Sequence, residues 1–415
     1  MSINFIDKTF ASLKHKNFRL FFMGQSISLI GTWVQQTALS WLIYDMTNSK
    51  LLLGLIAALG ALPMLFLSLV GGIIADRFPR RTTLIITQIS MMILTFILAF
   101  LIASNIIKIW HIVVIATLSG ITFAIDMPVR QSYMIDMAGK KDLMNAIALN
   151  STIFNFARVI GPVFAGIIMA KFGSLWCFIL NGLSFLAVIL ALFKQNITVV
   201  KAKIKKENII KYTATGFKYV KENKEILDLI ILLVIVGIFG WSYAILFPAI
   251  AKDIFHIDER GFAVLVSVNG IGALLGALFV AYFGNNSQKR NFVNWGIYFS
   301  GLMIFLLAFC KIYWLGLILI CFAGFGLVVY SASTTTIIQS DIDDAVRGRV
   351  IGIWSLVFGG MIPLGNLFAG TFAQYFGISA TLITSSLICI VFVFIQSLLR
   401  SSTREQLPAE EGITR

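Results

Sequence analysis

Apolar and polar positions in this chain alternate in long blocks. Runs of about twenty residues, enough for a helix to cross a hydrocarbon core, are closed again and again by short polar turns. The pattern predicts spans near 18–44, 51–75, 83–104, 109–130, 146–170, 174–193, 226–251, 261–283, 292–310, 313–338, 349–373 and 377–399. One interior stretch breaks the rhythm. Residues 195–225 are polar and crowded with lysine, and Ile209, Ile210, Phe217 and Val220 are spaced for an amphipathic helix lying on a membrane surface. The expected organisation is a first six-helix half over 1–194, a cytoplasmic linker over 195–225, a second six-helix half over 226–400 and a cytoplasmic tail over 401–415.

An internal repeat supports two related halves. Gly161, Phe164, Ala165, Gly166, Phe172 and Gly173 recur in register as Gly365, Phe368, Ala369, Gly370, Phe376 and Gly377. The fifth and eleventh helices are therefore equivalent, as in transporters whose halves face each other across a substrate path.

Composition agrees with a polytopic membrane protein: 58% of the 415 residues are hydrophobic and 13% charged, against about a quarter charged in soluble domains. The net charge of +14 raises the question of nucleic acid, and its distribution answers it. Arg77, Arg80, Arg81, Lys140, Lys141 and the linker lysines all fall on one side of the expected topology, while Lys50, Lys108, Lys252 and Lys311 are among the few on the other. That bias places both termini in the cytoplasm and makes the basic charge an orientation signal toward anionic lipid. The polar, amphipathic stretch from Ser2 to Arg19 does not resemble a cleaved signal peptide. Four cysteines lie in or beside spans, with Cys310 and Cys321 flanking one short outer turn, and the three histidines show no ligand spacing. No cofactor or metal is expected. The glycine cluster Gly270, Gly272 and Gly276 sits inside an apolar span without a preceding strand or a following lysine, and reads as a packing surface.

Polar residues inside the spans fall on helical stripes: Gln25, Ser28, Thr32, Gln35 and Gln36; Ser119, Thr122, Asp126 and Arg130; Ser151, Asn155 and Arg158. Steps of three or four put each set on one face, turned away from lipid. Interhelical bonding explains a single serine; three stripes suit a water-filled cavity, to which Trp33, Trp241, Tyr243, Tyr298 and Trp354 would supply aromatic walls. Arg158 is the sharpest of these residues. It lies about 18 Å from the start of its span at 1.5 Å per residue, where arginine costs roughly 2.5–3.5 kcal/mol unless it has a partner or a wet cavity. Three roles are open: binding an anionic group of a substrate, expelling a proton from Asp126 when substrate arrives, or a structural ion pair with Asp126.

Several short segments resemble a known family. Gly71-Gly72-Ile73-Ile74-Ala75-Asp76-Arg77-Phe78-Pro79-Arg80-Arg81 resembles the loop between the second and third helices of major facilitator superfamily transporters. Asp126-Met127-Pro128-Val129-Arg130-Gln131-Ser132, Asn145 to Ser151, and Ala157-Arg158-Val159-Ile160-Gly161-Pro162 are similar to the third drug:proton antiporter branch of that superfamily, which contains enterobactin-type siderophore exporters and macrolide efflux proteins. In the second half the likeness rests on Arg347-Gly348-Arg349 and the eleventh helix. Arg158 departs from the family's exporters, which often have a smaller residue there.

The resemblance implies an all-α fold of twelve transmembrane helices in a bacterial inner membrane, and no enzyme. It implies a proton-coupled exporter of a small amphipathic molecule, a siderophore or a hydrophobic drug, working by alternating access as a monomer and binding no nucleic acid. Asp76, Arg77, Arg80, Arg81, Asp126 and Arg130 would form the gate and charge relay, with Asp126 as the proton site. The cavity would be lined by Gln25, Ser28, Thr32, Gln35, Gln36, Ser119, Thr122, Asn155, Arg158, Trp241 and Tyr243. A lipid or solute permease of the same fold and a non-transporting membrane sensor are the alternatives.

Overall fold

The computed structural model describes residues 9–195, 217–283, 289–340, 342 and 344–405. Its long helices are α1 (Lys16–Thr47), α2 (Lys50–Arg77), α3 (Arg80–Ala103), α4 and α5 (together Ile109–Phe172), α6 (Ser174–Phe193), α7 (Lys224–Ile254), α8 (Glu259–Phe283), α9 (Lys289–Leu307), α10 (Tyr313–Ser340), α11 (Asp344–Phe376) and α12 (Ile378–Glu405). Among the described residues nine helical stretches are long and apolar enough to cross a membrane. One of these, Ile109–Phe172, holds two spans, and the more polar α1 and the shorter α9 complete the expected twelve.

Helix ends follow local chemistry. Ser49 caps α2 by accepting from the Leu52 amide at 3.2 Å. Asn223 does the same for α7 through the Glu225 and Ile226 amides. The internal repeat reappears as one backbone device. Gly173 ends α5 at φ 85° and Gly377 ends α11 at φ 89°, left-handed positions that only glycine occupies without strain. A third positive-φ glycine, Gly139 at 71°, breaks the stretch between α4 and α5. Where the hydropathy pattern expects an open loop from 131 to 145, the chain remains helical on both sides of that one residue.

Lipid supplies no hydrophobic drive to bring helices together, so close backbone approach must do it. Each half is assembled in this way. Gly24 on α1 rests against the Ala187 backbone of α6, and Gly296 on α9 against the Gly326 carbonyl of α10. Large apolar side chains such as Phe66, Phe100 and Trp314 point outward. Helix α7 is the exception to regularity. It passes through a π turn at Val236–Gly240, a 3-10 turn at Ser242–Leu246 and a second π turn at Ile250–Ile254. Ile209 and Ile210 of the expected surface helix lie outside the described residues. Residues 217–222 are helical, with Val220 buried in the core. All four cysteines are free, so Cys310 and Cys321 do not pair.

Candidate functional site

Three regions contain the polar chemistry. The first is the face bearing Arg77, Arg80 and Arg81, called the basic face below. Here the turn between α2 and α3 is knitted into its own half. Arg80 donates to the Ala75 carbonyl at 3.1 Å and the Ser132 carbonyl at 3.2 Å, and pairs with Asp136 at 2.9 Å. Arg81 donates to the Leu192 and Phe193 carbonyls at 2.7 and 2.9 Å, closing the end of α6, where a cation is favoured. Asp126 is fully buried: its Oδ1 accepts from Thr87 Oγ1 at 2.7 Å and Gln88 Nε2 at 2.9 Å, and its Oδ2 pairs with Arg130. Asp76 and Arg77 differ from their neighbours. Both are exposed, and neither has a hydrogen bond or ion pair among the described residues.

The opposite face is sealed. Tyr44 on α1 donates to Asp253 at 2.6 Å, Lys50 on α2 pairs with Asp253 at 2.8 Å, and Lys252 pairs with Asp45 at 2.9 Å. Gln374 Oε1 on α11 accepts from the Lys50 amide at 3.0 Å and the Leu51 amide at 3.4 Å, so the second half caps a helix of the first. Trp41 stacks on Phe262 at 5.3 Å. Alongside, α2 meets α11 so closely that a Cβ on Gly370 would stand 2.7 Å from Gly54 Cα. Every one of these contacts crosses between the halves. On the basic face Gly72 and Gly352 have nothing within 4 Å of where a Cβ would stand.

The third region lies between these faces, where α5, α7, α8 and α11 converge. Gly270 on α8 lies against the Arg158 carbonyl and Val159 of α5. Asn269 donates to the Tyr243 hydroxyl, and Tyr243 is within electrostatic range of Arg158. On the other side of the α7 break, Trp354 stacks on Phe358 at 5.2 Å, and Trp241 meets Phe358 edge-on at 6.2 Å. Irregular backbone at membrane depth persists only where protein or a cavity covers it, and π turns concentrate at working sites.

These placements sort the residues expected from sequence. Arg158 and Tyr243 stand on either side of Asn269 and Gly270, while Trp241 and Trp354 meet at Phe358. Arg158 does not pair with Asp126, which is taken by Arg130. Gln35 is taken up in bonds between helices: its Oε1 accepts from Thr95 at 3.1 Å and Asn181 at 2.6 Å, tying α1 to α3 and α6. Thr32, Thr122 and Asn155 bond back to the carbonyls of Ser28, Leu118 and Ser151 in their own helices, which satisfies them without a ligand. Gln25 and Ser28 are buried, Ser119 is half-buried and Gln36 is exposed. Sequence reasoning missed the seal. Its signal was present, since Tyr44-Asp45 and Lys252-Asp253 end α1 and α7, helices that occupy equivalent places in the two halves.

The model of a family described as transmembrane secretion effectors matches residues 7–411. The chain belongs to this family of major facilitator transporters. Its relatives include the staphyloferrin A transporter of Staphylococcus aureus, 30% identical with 91% of this chain and 95% of that protein covered. Macrolide efflux protein A of Streptococcus pyogenes is 22% identical, covering 92% and 96%. The enterobactin exporter EntS of Shigella boydii is also 22% identical, covering 82% and 81%. Among solved structures, a bacterial homologue of the human lysosomal transporter Spinster, inward-facing and unoccupied, superposes with a TM-score of 0.73 at 14% identity over 93% of this chain and 97% of that one. The nucleoside transporter NupG superposes with a TM-score of 0.75 at 14% identity, covering 93% and 99%. The protein is thus a multi-pass secondary transporter of the efflux type that moves small molecules, and not an enzyme.

Proposed function

We propose that this protein is a proton-linked exporter of a small amphipathic molecule, a siderophore or a hydrophobic drug, acting by alternating access as a monomer. It would reside in a bacterial cytoplasmic membrane with both termini inside, the halves dividing at 194 and 226 around the linker. The observation that carries the reading is the asymmetry of the two faces. Bonds between halves seal the face of Lys50 and Asp253, while the basic face offers an unpartnered Asp76 and Arg77. This is the inward-open stage of a cycle. In the reverse stage Asp76 would engage the second half, and the seal opposite would part.

Asp126 is the proposed proton site. Protonation would remove the charge that holds Arg130 and loosen the link between α3 and α4 through Thr87 and Gln88. Names of relatives support siderophores or drugs as cargo, as does the joining of aromatic rings to a guanidinium at mid-membrane.

The test is transport by purified protein in liposomes with an imposed pH gradient, using labelled siderophores and macrolides. Gradient-dependent movement of at least one of them, lost when the gradient is collapsed, is the expected result. Equal rates with and without the gradient would remove proton coupling from the proposal.

A further inference from the structure

The central region contains more hydrogen-bond donors than acceptors. Among the described residues Arg158 has no carboxylate within ion-pair distance and its guanidinium makes no hydrogen bond. Its Nε is buried without a partner, as are Trp241 Nε1 and Trp354 Nε1. Tyr243 already accepts from Asn269, which leaves the phenol's own proton to donate. The acids that might neutralise Arg158 are occupied elsewhere: Asp126 by Arg130, Asp45 by Lys252, Asp253 by Lys50 and Tyr44. A buried donor without an acceptor is destabilising, and an unpaired cation at mid-membrane is more so. The missing group is therefore rich in acceptors and negatively charged.

We infer that the cargo carries a carboxylate or a comparable oxyanion that docks on Arg158 beside Tyr243, with its apolar part against Trp241, Phe358 and Trp354. The guanidinium matches a carboxylate with two parallel N–H bonds, which an ammonium does not reproduce. The stacked Trp354–Phe358 pair and the edge-on Trp241 offer flat apolar surface on the far side of the same break in α7. Anionic cargo would be taken up and cationic amphiphiles refused. The inference rests on the exporter reading of this same region, and it narrows the cargo from small amphipathic molecules to their anionic members.

Three probes with one apolar body separate the charge requirement from apolar binding: pyrenebutyrate, pyrenebutanol and pyrenebutylamine. Their binding to the full-length protein is read as pyrene emission excited through tryptophan. The carboxylate should bind at least tenfold more tightly than the alcohol or the amine. Arg158→Gln should abolish that tenfold preference, and Arg158→Lys should retain part of it. Equal binding of carboxylate and alcohol by the native protein overturns the inference, as does a preference that survives in Arg158→Gln. Should Arg158→Gln bind no probe at all, the native ranking together with Arg158→Lys decides. Efflux from liposomes distinguishes the two readings. Export of the alcohol or amine with no charge preference sinks only the anionic cargo. Selective binding of the carboxylate without movement of any probe, under either direction of pH gradient, sinks the exporter and leaves the anion site.

Discussion

The two faces of this transporter use the same residue types to opposite ends. On the sealed face, Lys50, Lys252, Asp45 and Asp253 pair across the boundary between halves. On the basic face, Arg80, Arg81, Asp126 and Arg130 pair only within the first half. The face that shows no such charge pairs among the described residues holds more arginine. What decides which face is closed is the partner each charge finds, so a short set of crossings fixes the state of the carrier. Bonds inside a half make that half rigid and leave it free to rock.

Substitutions can break this comparison or sharpen it, and the largest effect is expected inside a half. Asp126→Ala leaves Arg130 without its counter-ion next to a fully buried site, and losing one member of such a pair costs about 3–5 kcal/mol. Thermal unfolding should report a fall in midpoint large enough to reduce the amount of folded protein in membranes. A midpoint equal to the native one would show that the pair is not structural.

The next effect belongs to the seal. Gly370→Leu places a branched side chain where even a Cβ would stand 2.7 Å from Gly54 Cα, so α2 and α11 must separate at that end. A cysteine at Ser49, in a protein freed of its four native cysteines, should become reactive to a membrane-impermeant maleimide, and transport should fall by about tenfold or more. Unchanged reactivity would mean that the contact is dispensable for the seal. Asp253→Asn removes the negative charge shared by Lys50 and Tyr44. At about 1 kcal/mol for a half-exposed ion pair, it should raise the same reactivity about fivefold.

Asp76→Asn sharpens the contrast. With no partner in this state, the change should leave the unfolding midpoint within about 1 °C while transport drops, because only the opposite state would use the charge. A lowered midpoint would place Asp76 in the stability of the present state. The smallest effect should come from the exposed pair Asp45–Lys252. Asp45→Lys or Lys252→Asp alone should change transport about twofold, and the double exchange should restore it.

Much of this fold is legible in the chain, because apolar blocks of span length and a one-sided distribution of arginine and lysine follow directly from the solvent that a membrane imposes. The repeat was legible too, and it became paired glycine ends, Gly173 and Gly377, in matching places. The site divided along a physical line. Arg158 was conspicuous because charge at mid-membrane is costly wherever it occurs. Gln35 could not be told from a cavity residue, since helical periodicity gives a direction and not a neighbour, and Asn181 and Thr95 arrive from other helices. The seal was least legible, since its partners stand 209 and 207 residues apart and none is conspicuous on its own helix. The break in α7 was announced only by Gly237, Gly240 and Pro248 within one apolar run.

The lone guanidinium of Arg158 also has an electrical consequence. A fixed positive charge near the middle of a bilayer senses the membrane potential, which is worth about 2.3 kcal/mol for each elementary charge carried across 100 mV. Rocking moves Arg158 through only a fraction of that field, and anionic cargo seated on it cancels the moving charge. The empty carrier would then return at a rate set by voltage, while the loaded carrier crosses almost indifferent to it. Current recorded across a planar bilayer would expose that difference as a transient on the return stroke alone.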